Sequence, residues 1–287
     1  MRLHAIFPQT EIGSDPRDVA SYGRAVEELG YDGIVAYDHV LGAHPDRPGG
    51  WTGPYTHETQ FHEVFVLFGY LAAITTRVQL STGVLILPQR QTALAAKQAS
   101  AVDVLSGGRL RLGVGVGWNA VEFEALGMDF HDRGRRVEEQ IALLRELWTS
   151  EVVDFTGTWH RVDRAGLNPM PVQRPIPIWM GADVERAIRR IARLGDGWFS
   201  HVKPDDDGRA LVTRFREWVR EAGRDPARIG IEGRIQSRWD ADAWLRAAEA
   251  FAAMGMTDLE LSTMGAGYRS LDDHLDALRR FRERVSG

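Results

Sequence analysis

The chain has 287 residues, 35 basic against 40 acidic side chains for a formal net charge of −5, 44% hydrophobic residues and no cysteine. That balance lacks the basic excess that counterion release demands of a nucleic-acid binder, and the missing Cys removes disulfides, thiolate metal sites and cysteine nucleophiles. The longest nearly apolar run, 64–74, is too short to span a bilayer and MRLHAIFPQT lacks the profile of a secretory signal, so a soluble cytoplasmic protein is expected.

One phrase recurs along the chain: an amphipathic stretch, a glycine, then a short apolar strand, as in EELG-YDGIVAY and AAMG-MTDLELS. The first strand is expected at 3–7. A helix over 15–29 follows, opened by Asp15 as N-cap and Pro16, and striped by Val19, Tyr22, Val26 and Leu29. Strand 32–37 leads into a connection, 38–61, rich in Gly, Pro and aromatics and far longer than an ordinary βα loop of about 2–6 residues. Helix 62–74, strand 78–86, helix 92–105 and strand 110–116 come next, then a helix at 132–149 striped by Val137, Ile141, Leu144 and Trp148. Segment 150–176 is a second insertion, with a hairpin around Thr156-Gly157 and a proline-rich stretch. Strands 177–181, 197–201, 228–233 and 257–262 then alternate with helices 183–194, 207–222, 240–253 and 270–284. Gly30, Gly107, Gly195, Gly223 and Gly255 stand where a helix end takes a left-handed residue. Eight βα pairs in strict alternation predict an α/β fold, a single-domain (β/α)8 TIM barrel over 1–287 with insertions after strand 2 and before strand 5.

Barrel enzymes keep their sites at the C-terminal ends of the strands, which directs attention to polar residues there. Asp38-His39 ends the second strand, and a His beside a carboxylate able to fix its tautomer is an acid/base candidate; the alternative is an imidazole that only ties down the loop. Loop 38–61 reads as a lid or pocket wall, and Trp51, Tyr55, Trp118 and Trp159 as an apolar substrate pocket, with plain core packing as the alternative. Residues 115–120, GVGWNA, fit a dinucleotide fingerprint, yet Glu138 and Glu139, about 20 residues on, fall inside a helix. Gly115 and Gly117 equally let a ligand ring lie against the backbone. Gly181-Ala182-Asp183 opens a helix and offers an anion site, or Asp183 as a simple N-cap. Lys203 adds positive charge after the sixth strand, and Gly265-Ala266-Gly267 after the eighth is either a phosphate loop or a turn. HETQFH has one residue too many for H-E-x-x-H, and G-x-S-x-G is absent, so neither a metal site nor a serine hydrolase is expected.

The ordered blocks YDGIVAYDHV, VQLSTGVLILP, LSGGRLRLGVGVGW, GRRVEEQIALLRELW, PIPIWMGA and ARLGDGW resemble the bacterial luciferase-like monooxygenase superfamily over nearly the whole chain. The likeness is strongest to the branch using the deazaflavin coenzyme F420. It implies a hydride-transfer oxidoreductase working between F420 and a small organic substrate. The alternatives are an FMN-dependent monooxygenase, supplied with reduced flavin by a partner reductase and using O2, and a barrel that binds a ligand without catalysis. The resemblance also implies a homodimer and a non-proline cis peptide at Gly83-Val84, where Thr82, Gly83 and Val84 back the cofactor ring. Asp38 and His39 then line the ring's reactive side with Asp38 orienting His39, Gly181 and Ala182 approach its phosphate-bearing tail, and Gly115, Gly117, Asn119 and Lys203 complete the cofactor site. Some dehydrogenases of the branch carry a Glu where this chain has Trp118, so a sugar-phosphate dehydrogenase mechanism is not expected.

Overall fold

The computed structural model describes residues 1–286. In chain order it contains β1 (Arg2–Ile6), α1 (Pro16–Glu28), β2 (Gly33–Ala36), α2 (Val64–Ile74), β3 (Gln79–Thr82), β4 (Leu85–Ile86), α3 (Thr92–Ser106), β5 (Leu110–Gly115), α4 (Ala120–Ala125) and α5 (Arg133–Thr149). The hairpin β6 (Val153–Thr156) and β7 (Arg161–Ala165) follows, then β8 (Ile178–Gly181), α6 (Glu185–Leu194), β9 (Gly197–Phe199), α7 (Asp206–Glu221), β10 (Gly230–Gln236), α8 (Ala241–Ala253), β11 (Asp258–Ser262) and α9 (Leu271–Ser286). The expected strands and helices lie within one to three residues of these bounds, and the hairpin forms where Thr156-Gly157 placed it.

Parallel pairing runs β3-β2-β1-β11-β10-β9-β8-β5, and β3 pairs with β5 through Leu80↔Leu110 and Ser81↔Arg111. That last pairing closes the sheet, so the fold is the expected (β/α)8 barrel. Among the described residues no helix is long and apolar enough to cross a membrane.

Local chemistry explains the joints. Asp15 caps α1 by accepting from the Arg17 amide, and Gly107 closes α3 at φ 71°. Gly30, Gly223 and Gly255 are left-handed as expected, but Gly195 is not. The chain leaves α6 extended at φ −80°, and a Cβ on Gly195 would meet Ile191 Cγ2 at 2.9 Å. Close approach, not handedness, demands that glycine. The interior pairs large side chains with glycines in the same way: the Trp179 ring covers Gly197 and Gly230, where a Cβ would lie 2.1 and 2.3 Å from it.

A charged cluster fills the rest of the barrel. Arg111 on β5 donates to Asp258 Oδ1 (2.9 Å), Glu232 Oε2 (2.7 Å) and Ser81 Oγ, and its Cζ lies 4.3 Å from the Trp179 ring centroid. His4 joins through Nε2 to Asp258 Oδ1 at 2.7 Å. His4, Glu232 and Asp258 bring ligand atoms within 4.8 Å of one another, and the Arg111 guanidinium answers both carboxylates. Burial pushes the Glu232 carboxyl above its ordinary range, while Arg234 holds Glu260 below its own against burial.

Candidate active site

The C-terminal ends of the strands open on a cavity of about 470 Å³. Its wall includes Asp38 and His39 after β2, Gly83 and Val84 between β3 and β4, Gly115 and Gly117 after β5, Gly181 and Ala182 after β8, and Arg234 on β10.

His39 is oriented by a carboxylate, but not by the neighbouring one. Its Nδ1 lies 3.1 Å from Glu122 Oε1, which also accepts from the Val40 and Leu41 amides, while Gln89 Nε2 donates to Glu122 Oε2 at 3.0 Å. Burial opposes ionisation of Glu122, yet the hydrogen bonds from His39, Gln89 and the backbone hold its pKa below the ordinary carboxylate value. An ionised carboxylate only accepts, so Nδ1 carries a proton and the atom that can accept one, in the neutral imidazole, is Nε2; the ring lines the cavity. Asp38 makes no bond to His39, and both its oxygens are engaged elsewhere. Oδ1 accepts from Arg90 Nη2 at 2.7 Å and Oδ2 from the Ile86 amide at 3.0 Å. The expectation that Asp38 orients His39 is therefore corrected: Asp38 ties the end of β2 to β4.

The third strand is interrupted at 83–84, and the Gly83–Val84 peptide is cis. Val84 packs into the space left by two glycines. A Cβ on Gly115 would lie 2.4 Å from Val84 Cγ2, and one on Gly181 3.3 Å from Cγ1. These glycines serve the interruption first, and the outcome is a wall of backbone and short side chains. The rings of Tyr37, Tyr55, Trp118 and Phe199 line the same cavity, with Tyr37 beside Gly83 and Phe199 beside Gly181.

Loop 38–61 folds back on itself. Ala43 bridges Thr56, and Trp51 Nε1 donates to the Tyr55 carbonyl at 2.8 Å. It sets Tyr55 and Phe61 against His39, at centroid separations of 4.8 and 4.7 Å, and Trp51 against Trp118 at 5.8 Å. Trp51, Tyr55 and Trp118 thus gather at the mouth, whereas Trp159 does not join them. It sits at the hairpin turn, donates from Nε1 to Asp132 Oδ2 at 2.7 Å, and lines a separate cavity between the hairpin, α3 and α5. The hairpin folds over the outside of the barrel, which removes Trp159 from the pocket.

Three other expected residues lie off the cavity wall. Thr82 is buried with Oγ1 donating to the Gly113 carbonyl, Asn119 caps α4 by accepting from the Val121 amide, and Lys203 is exposed. Asp183 lines the cavity without capping α6, whose N-cap is Val184; its Oδ1 meets His201 Nδ1 at 2.7 Å. At the rim, the Gly265 amide is taken by Glu11 Oε1 at 2.8 Å, as in a tied turn. Glu138 and Glu139 bond Arg190 and the 158–160 backbone respectively, so neither serves a dinucleotide fingerprint. Sequence reasoning missed Glu122, Arg234 and His201.

A closed barrel with an imidazole held by a buried carboxylate in a cavity at the strand ends defines the class, a (β/α)8 barrel with its candidate site at the C-terminal rim. Residues 2–284 match the family described as luciferase-like monooxygenase, and the chain belongs to it. It is 30% identical over 238 residues to the F420-dependent glucose-6-phosphate dehydrogenase of Segniliparus rotundus, spanning 80% of this chain and 67% of that one. It is 29% identical over 206 residues to the pyrimidine monooxygenase RutA of Allorhizobium ampelinum, spanning 69% and 56%. Among solved structures, an F420-dependent secondary alcohol dehydrogenase in complex with an F420-acetone adduct superposes with a TM-score of 0.78 at 18% identity, over 99% of this chain and 98% of that one.

Proposed function

We propose that this chain is an oxidoreductase that transfers a hydride between coenzyme F420 and a small organic substrate, with His39 managing the accompanying proton. The observation that carries this reading is the His39–Glu122 pair, whose imidazole lines the same cavity as the wall at Gly83–Val84. A flat tricyclic ring would lie against that wall, where Val84 is seated over Gly115, at which a Cβ would displace it. Bound there, F420 would supply the hydride acceptor or donor. Gly83, Val84 and Gly115 would back its ring and Gly181 and Ala182 its tail. His39 Nε2 accepts a proton from an alcohol being oxidised, or delivers one in the reverse direction, while Glu122 holds the imidazole in register. Loop 38–61 closes one side of the mouth with Tyr55 and Trp118 and limits water.

Identity with the F420-dependent relative supports the choice of deazaflavin, but its sugar phosphate is not carried over. Trp118 occupies the position expected for a Glu, and Lys203 is exposed away from the cavity. A cytoplasmic homodimer belongs to this reading through the resemblance. The second reading, an FMN-dependent monooxygenase with a partner reductase, is favoured by the likeness to RutA. Titration of the purified protein with F420 and FMN tests the choice, with F420 expected to bind. His39→Asn is expected to keep cofactor binding and to lose about 10²–10⁴-fold in turnover. Tight FMN binding with no response to F420, and oxygen consumption with reduced FMN, would move the assignment to the monooxygenase.

A further inference from the structure

Arg234 reaches the cavity from β10, directly across the barrel from the interruption at Gly83–Val84. Counted from β3, β10 is the fourth strand in either direction, through β2, β1 and β11 or through β5, β8 and β9. A ring backed by the wall at 83–84 therefore shows its free face to the Arg234 side. The guanidinium is fixed from the neighbouring strand: Nε donates to the buried Glu260 Oε1, and Cζ lies 5.7 Å from the Tyr37 ring centroid. Nη1 and Nη2 have no hydrogen-bond partner among the described residues, and the side chain is 24% exposed. Two parallel donors of a permanent cation, held rigid and walled by aromatic rings, match the two oxygens of a carboxylate. No other Arg or Lys lines this cavity among the described residues.

We propose that Arg234 is the specificity determinant of the site and anchors the carboxylate of an apolar or aromatic acid, whose body lies against Tyr55, Trp118 and Phe199. The inference rests on the oxidoreductase reading for what the acid faces, while recognition of the acid itself is separable from it. Glu260 positions the fork and leaves its outer edge open. The ordering cost of binding is low, because a held guanidinium loses little further freedom.

The test titrates the purified protein, with and without F420, against 2-naphthoate and its neutral isostere 2-naphthamide, reading tryptophan fluorescence. The acid is expected to bind about tenfold or more tighter than the amide, as a charge-assisted pair predicts. Arg234→Gln should erase that preference and Arg234→Lys should keep only part of it, with F420 affinity unchanged in both. If Arg234→Gln fails to fold because Glu260 is left unpaired, the double variant Arg234→Met/Glu260→Gln removes both charges and reads the same preference. Equal binding of acid and amide, no binding of the acid, or a preference that survives loss of the guanidinium overturns the proposal. A protein that selects the acid but takes no F420 would refute hydride transfer and leave this inference standing. One that binds F420 but treats the two naphthyl compounds alike does the reverse.

Discussion

Four donors converge on the Glu122 carboxylate: His39 Nδ1, the Val40 and Leu41 amides and Gln89 Nε2. With about four lone-pair sites, the group is fully used. Replacing it with an amide turns one acceptor into a donor that must face another donor, and truncation orphans all four partners, at about 1–3 kcal/mol for each buried donor left unsatisfied. Glu122→Ala is therefore expected to lower kcat by about 100-fold, since the imidazole loses both its tautomer and its orientation. KM should change by less than about threefold, because Glu122 does not line the cavity. Glu122→Gln should recover part of the loss. Steady-state kinetics that put the defect in KM instead would assign Glu122 to the loop alone. His39 was legible in the sequence as a polar residue ending an apolar strand. Glu122 was not, because it lies 83 positions away on the short helix α4, which has too few turns to show a periodic stripe.

At the scale of elements, the interruption between β3 and β4 and the glycines of β5 and β8 form one device. Val84 fills the Cβ position of Gly115 and packs tightly against that of Gly181, and Asp38 clamps the Ile86 amide beyond the break. Gly115→Ala should push Val84 out of its seat, since 2.4 Å is far inside van der Waals contact. Cofactor affinity should then fall about tenfold or more while far-ultraviolet circular dichroism stays native. Gly115→Ala/Val84→Ala should restore binding by returning the space, and a double variant as weak as the single one would show that the glycine acts in some other way. The eight βα units were readable because each helix end and buried strand carries its own local signature. The seat of Val84 was not, since it joins strands whose contact depends on barrel closure. Trp159 illustrates the same limit: composition marked it as a pocket residue, but the hairpin carries it to a different face.

For the molecule as a whole, two buried imidazoles set how stability responds to acid. His4 lies inside the barrel, its Nδ1 without a partner and only 2.5 Å from the Cβ position of Gly33, which leaves no room for an acceptor. Burial, aided by the Arg111 charge, lowers its pKa from 6.5 to about 4 against the pull of Asp258. His274 on α9 bonds Thr263 through Nδ1, and burial lowers its pKa likewise to about 4, against a weaker opposing effect of Asp273. Between the two values the unfolded chain binds these protons and the folded chain does not. Stability is therefore complete above pH 6.5 and is lost as pH falls toward about 4, by up to about 3 kcal/mol for each imidazole. Hydrogen-bonded carboxylates such as Glu27, held down to about 2 against burial by the Thr76, Arg77 and Val78 amides, lose their contribution only at more acid pH. Urea unfolding at a series of pH values should thus show the free energy falling steadily through the window from 6.5 to about 4. His274→Gln should remove its share of that slope, because a neutral amide can still accept from or donate to Thr263 without titrating. An unfolding free energy that stays flat across this window would mean that the folded barrel takes up these protons as readily as the unfolded chain.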